Sequence, residues 1–280
     1  MSNLPPLSIS RLLREHNIRP NRRLGQNFLI APQSLQKVIQ AAQISAGDIV
    51  LEIGAGVGSL TRELAAICQQ VIAIEIDQKL IPILNQVIEG FPNVQIIQGD
   101  ILQIDLATLP SLREFPYQVV ANIPYYITSA VIRHLLESHH RPQKLTLTLQ
   151  KEVAQRICAP AGDLSLLGLS VQLYGKPTIV ATIPANAFYP VPKVESAVIR
   201  VDLSSEPRIP DTELFFRLAK AAFSQKRKTL RNAMMGGLNL PSQEIVNLLV
   251  HAQIDANRRA ETLTWDEWSR LVQAWLDLNY

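Results

Sequence analysis

The sequence predicts an α/β protein: a doubly wound, mostly parallel sheet with an antiparallel hairpin at one edge, followed by a small all-helical domain. Three observations carry that expectation. Short apolar runs alternate with amphipathic helix patterns between residues 49 and 149, the rhythm of βαβ units. The first of these runs, Ile49 to Ile53, passes through Gly54-Ala55-Gly56-Val57-Gly58 straight into a helix pattern. Beyond residue 210 the strand signals vanish. With 280 residues, 47% of them hydrophobic, the chain is long enough for one large or two modest domains with a sizeable core.

Composition removes several function classes. Cys68 and Cys158 stand far apart with no CxxC and no Cys/His cluster, so neither a disulfide framework nor a metal site is expected, and a reducing cytoplasm is. The opening MSNLPPLSIS lacks a basic segment followed by an apolar core, and no apolar run is long enough to span a bilayer. Secretion and membrane insertion are therefore not expected. The net charge is only +3, and where the basic residues cluster matters more than their sum.

Residues 8 to 16, SISRLLREH, predict a short capped helix, followed by the irregular basic segment NIRPNRRLGQNFLI. Arg11, Arg14, Arg19, Arg22 and Arg23 stand there against one acid, Glu15, which reads either as a solvated face or as a contact to a polyanion. Gly25 permits a tight turn, Gln26 and Asn27 offer amides, and Phe28 and Leu29 would anchor the segment to a core. Residues 32 to 44 predict an amphipathic helix with Pro32 in its first turn and Leu35, Val38, Ile39 and Ala42 on one face.

The glycine loop at 54 to 58 is GxGxG, not the GxGxxG of a dinucleotide site. It suits a nucleoside with no pyrophosphate to cradle; glycines kept only for a tight turn are the other reading. The second strand, Val71 to Ile74, ends in Glu75, placed to accept both ribose hydroxyl protons. Glu52 either meets an amino group of the same ligand or complements the loop amides. After the third strand, Val94 to Ile97, Asp100 can accept from an adenine amino group while Ile101 or Ile76 covers a ring face; a solvated turn Asp is the alternative.

The fourth strand, Gln118 to Ala121, ends in Asn122-Ile123-Pro124-Tyr125. In a doubly wound sheet the first and fourth strands flank the topological switch point, so Asn122 and the glycine loop face one crevice. The Asn122 side-chain oxygen and the Ile123 carbonyl can accept both hydrogens of an exocyclic amine such as N6 of adenine, and Tyr125 can stack on the base. Two acceptors favour a pyramidal nitrogen whose lone pair points at an electrophile, so a methyl donor is expected nearby. A helix from Ser129 to Leu136, a strand from Lys144 to Leu149 and a helix from Lys151 follow, with His134, His139 and His140 expected at the surface.

Two strand patterns, Thr178 to Ile183 and Ser196 to Leu203, predict the edge hairpin. Phe188 between them is either the far wall of a base pocket or a hydrophobic plug under a proline-rich loop. The polar stretch Ser204 to Pro210 marks a boundary between domains at 1–205 and 206–280. Beyond it, helices from Asp211, Thr229, Ser242 and Thr264 are expected, with Asp211, Ser242 and Thr264 as caps. Lys226, Arg227, Lys228 and Arg231, with no acid among them, read as phosphate contacts.

Together GQNFL (25–29), EIGAGVG (52–58), IEID (74–77), GDI (99–101), NIPYYIT (122–128), FYPVPKVESAV (188–198) and AFSQKRKTLRN (222–232) resemble, over essentially the whole chain, the bacterial 16S ribosomal RNA adenine dimethyltransferases of the kasugamycin-resistance type. These are a branch of the class I S-adenosylmethionine methyltransferases, whose Rossmann-like sheet has seven strands. The resemblance implies S-adenosylmethionine as methyl donor, held by Asn27, Leu29, Gly54, Glu75, Asp100 and Asn122, with Asn122, Tyr125 and Phe188 holding the target base. It implies dimethylation of N6 on two adjacent adenosines in a hairpin loop near the 3' end of 16S ribosomal RNA, in the small subunit or its precursor. Arg22, Arg23, Lys226, Arg227, Lys228 and Arg231 are the expected RNA contacts; a cytoplasmic monomer with no metal is expected. Tyr126 stands where many relatives carry Asn. Methylation of 23S ribosomal RNA, as in the erythromycin-resistance relatives, and a non-catalytic assembly or transcription factor on the same fold remain alternatives; a second role in subunit assembly is compatible with catalysis.

Overall fold

Central strands buried on both faces need no alternation of apolar and polar residues, and the strand at the middle of the sheet obeys this: β2 (Ile49–Ile53) is buried at every position. The computed structural model describes residues 4–280, so the expectation of a leaderless N-terminus rests partly on residues 1–3, outside the described residues. The elements are α1 (Ile9–Glu15), β1 (Phe28–Leu29), α2 (Pro32–Ala42), β2, α3 (Ser59–Ala65), β3 (Gln70–Glu75), α4 (Ile81–Ile88), β4 (Val94–Gln98), α5 (Pro110–Glu114), β5 (Tyr117–Asn122), α6 (Thr128–Glu137), β6 (Lys144–Gln150) and α7 (Lys151–Ile157). They continue as α8 (Leu166–Gln172), β7 (Gly175–Ile183), β8 (Phe188–Tyr189), β9 (Ser196–Leu203), α9 (Thr212–Ala222), α10 (Leu230–Leu238), α11 (Ser242–His251) and α12 (Trp265–Asp277).

The seven-stranded sheet runs β4-β3-β2-β5-β6-β9-β7. From β4 to β6 every pairing is parallel, and β9 runs antiparallel to β6, with Lys144 opposite Asp202. Helix α3 packs on β3, and α2 lies on β6 and β9. Val50, Val71, Ala73, Val120 and Val198 have no exposed surface and make the centre of the core between sheet and helices. The order reverses between β2 and β5, where Ile53 lies opposite Ala121. Gly54 and Asn122 therefore leave the sheet side by side.

A second, two-stranded sheet had no forerunner in the sequence patterns. β1 pairs antiparallel with β8, Phe28 opposite Tyr189 and Leu29 opposite Phe188. The Ile30 and Ala31 amides both donate to the Ala187 carbonyl, extending the join. The basic segment ahead of β1 is thereby tied to the loop between β7 and β9.

The chain forms two compact units. One takes in the chain up to Ala154 with Lys176–Leu203; the other is Gln155–Gly175 with Ser204–Tyr280. Thus α8, which precedes the edge hairpin in sequence, belongs with the C-terminal helices, although the sequence pattern left it with the sheet. The second unit's core is aromatic: Phe215 and Trp268 are fully buried, their rings edge-on at 5.7 Å, with Trp265 stacked on Phe215 at 5.8 Å.

Three cap expectations have different outcomes. Asp211 accepts from the Leu214 amide, and Thr264 forms a reciprocal capping box with Glu267. Ser242 does not cap: Pro241 occupies the cap position, and the Ser242 hydroxyl accepts from Arg231 Nε at 2.9 Å. Nor does Ser8 cap α1 with its side chain. His139 and His140 are exposed as expected, but His134 is half-buried and its Nε2 donates to the Ile104 carbonyl.

Helix α10 approaches α9 so closely at Gly237 that a Cβ there would stand 2.5 Å from the Ala221 Cα. Ala in place of Gly ordinarily favours a helix by up to about 1 kcal/mol. Here overpacking wins: Gly237→Ala is expected to destabilise the helical unit by about 1 to 3 kcal/mol, read as a lowered denaturant midpoint in urea unfolding.

Candidate active site

The strand tips beside the switch point enclose a cavity of about 200 Å³. Asn27, Leu29, Gly54, Glu75, Asp100, Asn122 and Tyr125, far apart in the sequence, all line it. The glycine loop forms its floor. Gly54, at φ 75°, turns the chain off β2, and a Cβ on it would lie 3.8 Å from the Asn122 carbonyl oxygen. Gly56, at φ 60°, likewise holds a backbone conformation that favours glycine, and a Cβ there would crowd the Phe28 ring at 3.1 Å.

Two buried carboxylates meet this loop. Glu75, at the tip of β3, is only 4% exposed. Its Oε2 accepts from the Gly56 amide at 2.7 Å and its Oε1 from the Asp77 amide at 2.8 Å. Burial raises the Glu75 pKa, and those amides hold it down in part. Each oxygen keeps a lone pair for a ligand hydroxyl. Glu52, within β2, is 1% exposed, and its Oε2 has no hydrogen-bond partner among the described residues. Burial pushes its carboxyl up to about 8, the Thr61 hydroxyl opposes this, and the nearby Glu75 charge adds to it. An orphaned carboxylate oxygen on a cavity wall fits a ligand that brings its own positive charge. At the β4 end, the Asp100 Oδ1 accepts from the Leu102 amide at 3.0 Å, which orients the carboxylate. Ile101 is buried and Ile76 is 46% exposed, both on the lining and both placed to cover a flat ring.

Opposite the loop, the orientation of the Asn122 amide is determined by chemistry. Its Nδ2 donates to the Asn27 carbonyl at 3.0 Å, a contact only the nitrogen end can make, so Oδ1 remains as an acceptor. Asn27 itself is held by its Nδ2 donating to the Gly25 carbonyl. The Ile123 amide bonds the Thr148 carbonyl of β6, and Pro124, at φ −55°, stiffens the next step. The Tyr125 hydroxyl lies 2.8 Å from Ser196 Oγ, which is fully buried in β9, so the ring is fixed at its far end. Burial raises the phenol pKa, and Ser196 partly opposes the shift.

Phe188 takes the plug position. It is 1% exposed, packs in the sheet core with Leu29 and Val198, and does not reach the cavity lining. Its pairing with Leu29 across the small sheet turns it inward. Sequence patterns also missed Ser196 and the bridge made by Gln26, whose Oε1 accepts from the Asn21 amide and whose Nε2 donates to Asp77, both at 2.7 Å. A lone Ser in a strand and an amide in a turn carry no local signal of their partners. Arg22 and Arg23 are exposed on a 3₁₀ turn, Arg22–Leu24, that ends on Gly25. In the helical unit Lys226, Arg227, Lys228 and Arg231 are exposed around the α9–α10 turn, Arg231 also bonding Ser242. Among the described residues no group of three or more His, Cys, Asp or Glu could hold a metal ion, and no helix is long and apolar enough to cross a membrane.

Comparison with known proteins bears on family and fold. The family model of ribosomal RNA adenine dimethylases matches residues 17–277. A ribosomal RNA small subunit methyltransferase A of Dehalococcoides mccartyi is 42% identical over 268 residues, 93% of this chain and 90% of the relative. Its counterpart from Alkaliphilus oremlandii is 40% identical over 275 residues, 95% of this chain and 96% of the relative. Among solved structures, a dimethyladenosine transferase from Plasmodium falciparum superposes with a TM-score of 0.77 at 29% identity, over 90% of this chain and 98% of that one. The 23S rRNA methyltransferase ErmE does so at 0.69 and 27% identity, over 89% and 99%.

The raised Glu52 carboxyl has a definite pH consequence. Between the ordinary carboxylate range and about pH 8, the folded, ligand-free protein holds a proton that the unfolded chain has lost. Stability therefore falls as pH rises through that window. Urea unfolding from about pH 5 to 8 is expected to show the wild type losing stability relative to Glu52→Gln, and a cationic ligand is expected to release the proton on binding, read by calorimetry in buffers of different ionisation enthalpy.

Proposed function

The chain belongs to the ribosomal RNA adenine dimethylase family, and from that premise we propose that it dimethylates N6 of two adjacent adenosines in the 3'-terminal hairpin loop of 16S ribosomal RNA. Its mostly parallel seven-stranded sheet is the Rossmann-like methyltransferase fold. The observation that carries the reading is the Asn122 amide, locked by its bond to the Asn27 carbonyl so that Oδ1 serves as acceptor beside the glycine loop.

S-adenosylmethionine, when bound, supplies an electrophilic methyl group. The residues present suit it: Gly54 and Gly56 leave room for the donor, Glu75 suits the ribose hydroxyls, Asp100 the adenine amine and Glu52 the amino group, with Asn27 and Leu29 completing the wall. On the target side, Asn122 Oδ1 and the Ile123 carbonyl accept the two N6 hydrogens. Accepting both hydrogens favours the pyramidal form of the nitrogen, whose lone pair is then directed away from the two acceptors. Tyr125, anchored through Ser196, stacks on the base and holds it in line. No side chain needs to act as base, because the methylated ammonium is acidic enough to lose its proton to water. An adenosine in a loop leaves its stack at lower cost than one in a duplex.

We assign methyl transfer to the unit that takes in the chain up to Ala154 with Lys176–Leu203, and ribosomal RNA contacts to Arg22, Arg23 and the helical unit of Gln155–Gly175 with Ser204–Tyr280, through Lys226, Arg227, Lys228 and Arg231. The substrate is the small ribosomal subunit or its precursor, the site of action the cytoplasm, and the working form a monomer. Relatives at 40 to 42% identity, named ribosomal RNA small subunit methyltransferase A, support the small-subunit assignment over a 23S one.

The direct test is methyl transfer from labelled S-adenosylmethionine to undermodified small subunits, with the RNA digested and its nucleosides resolved by mass. Dimethyladenosine is expected, and Asn122→Ala should lower kcat by about 10² to 10³, as for loss of one preorganised hydrogen-bonding group. Methylation confined to large-subunit RNA, or subunit binding without transfer while the donor binds, would sink the assignment. Replacing Lys226, Arg227 and Lys228 together by Ala should weaken subunit binding and flatten its dependence on salt concentration, measured by filter binding across a salt series.

A further inference from the structure

We propose that Tyr126 forms a second nucleotide subsite at the mouth of the cavity, on which an unpaired base adjoining the target adenosine stacks; this rests on the methyltransferase reading above and specifies its RNA contact. Two consecutive tyrosines occupy opposite environments. Tyr125 is half-buried with its hydroxyl held by Ser196, whereas Tyr126 is 60% exposed and its hydroxyl has no partner among the described residues. Both line the cavity. They sit on one 3₁₀ turn, Tyr125–Ile127, where successive side chains diverge by about 120°, so one ring serves the pocket while the other stands at its rim.

The Tyr126 ring is also braced. Gly25 lies against it, and a Cβ there would be 3.2 Å from Cδ1 and 3.3 Å from Cε1. At φ 61° the glycine lets the turn pass directly along the ring, and the turn runs straight into α6, which limits backbone movement. Bracing on one side with a large exposed remainder is what a stacking platform requires. Exposed Arg22 and Arg23, on the turn that ends at Gly25, supply cations for the adjoining phosphates. Aromatic rings interleaved with basic residues form the general single-strand binding arrangement. The RNA has a matching need: withdrawing one base from a loop strips its neighbour of a stacking partner, and Tyr126 replaces it.

The test uses the full chain and a loop-hairpin RNA carrying 2-aminopurine on either side of the target adenosine, with fluorescence followed during titration. Wild type and Tyr126→Trp are expected to quench the probe on one side. Tyr126→Ala is expected to lose the quench and bind about tenfold more weakly, the scale of one base–aromatic stack. Three results would overturn the subsite: no quench with wild type, an undiminished quench with Tyr126→Ala, or a Trp variant as impaired as the Ala variant. Methyl transfer to the unsubstituted hairpin is read in parallel. Its absence would count against the methyltransferase reading, while the quench comparison still decides the subsite.

Discussion

The parallel pairing of β2 with β5 is the constraint on which the rest of the site depends. Ile53 opposite Ala121 leaves both strands ending at the same level, and the reversal of strand order there keeps a covering helix from filling the space beyond. A register slip of one residue would turn Asn122 to the other face of the sheet. The glycine loop and the Asn122 amide meet because a ladder of main-chain hydrogen bonds holds them, and a ladder between buried central strands is stiffer than any loop.

On that frame the charge distribution is deliberately incomplete. Glu52 and Glu75 are buried, and burial raises both carboxyls. Glu75 is partly compensated by two main-chain amides, but the Glu52 Oε2 has no partner among the described residues. Such an arrangement lowers the stability of the empty protein and becomes favourable when a cationic ligand arrives. In the proposed reaction the ammonium of S-adenosylmethionine would be that cation.

The segment from Asn21 to Leu29 behaves as a strap over the cavity. Gln26 ties it to Asp77 beyond β3, the Asn27 carbonyl ties it to Asn122 at the end of β5, and β1 ties it to β8. The strap both closes one wall and orients the Asn122 amide. The same segment carries the exposed Arg22 and Arg23, so the RNA contacts proposed for them and the orientation of the Asn122 amide would share one piece of chain.

The sequence by itself determined the strand–loop–helix order, the residue types at each strand tip, and the boundary near residue 204. Those features are local: apolar periodicity, glycine, proline and capping residues act within a few positions of themselves. Only the tertiary structure decided which polar groups are already satisfied. The Asn122 amide finds Asn27 across 95 residues, and the Tyr125 hydroxyl finds Ser196 across 71. It also decided that Phe188 faces the core, since that depends on the pairing of β1 with β8, and that Gln155–Gly175 joins the C-terminal helices. A helix after a parallel strand can cover the sheet or leave it with the same amphipathic pattern. What it packs against depends on surface supplied from elsewhere in the chain, and no local period encodes that.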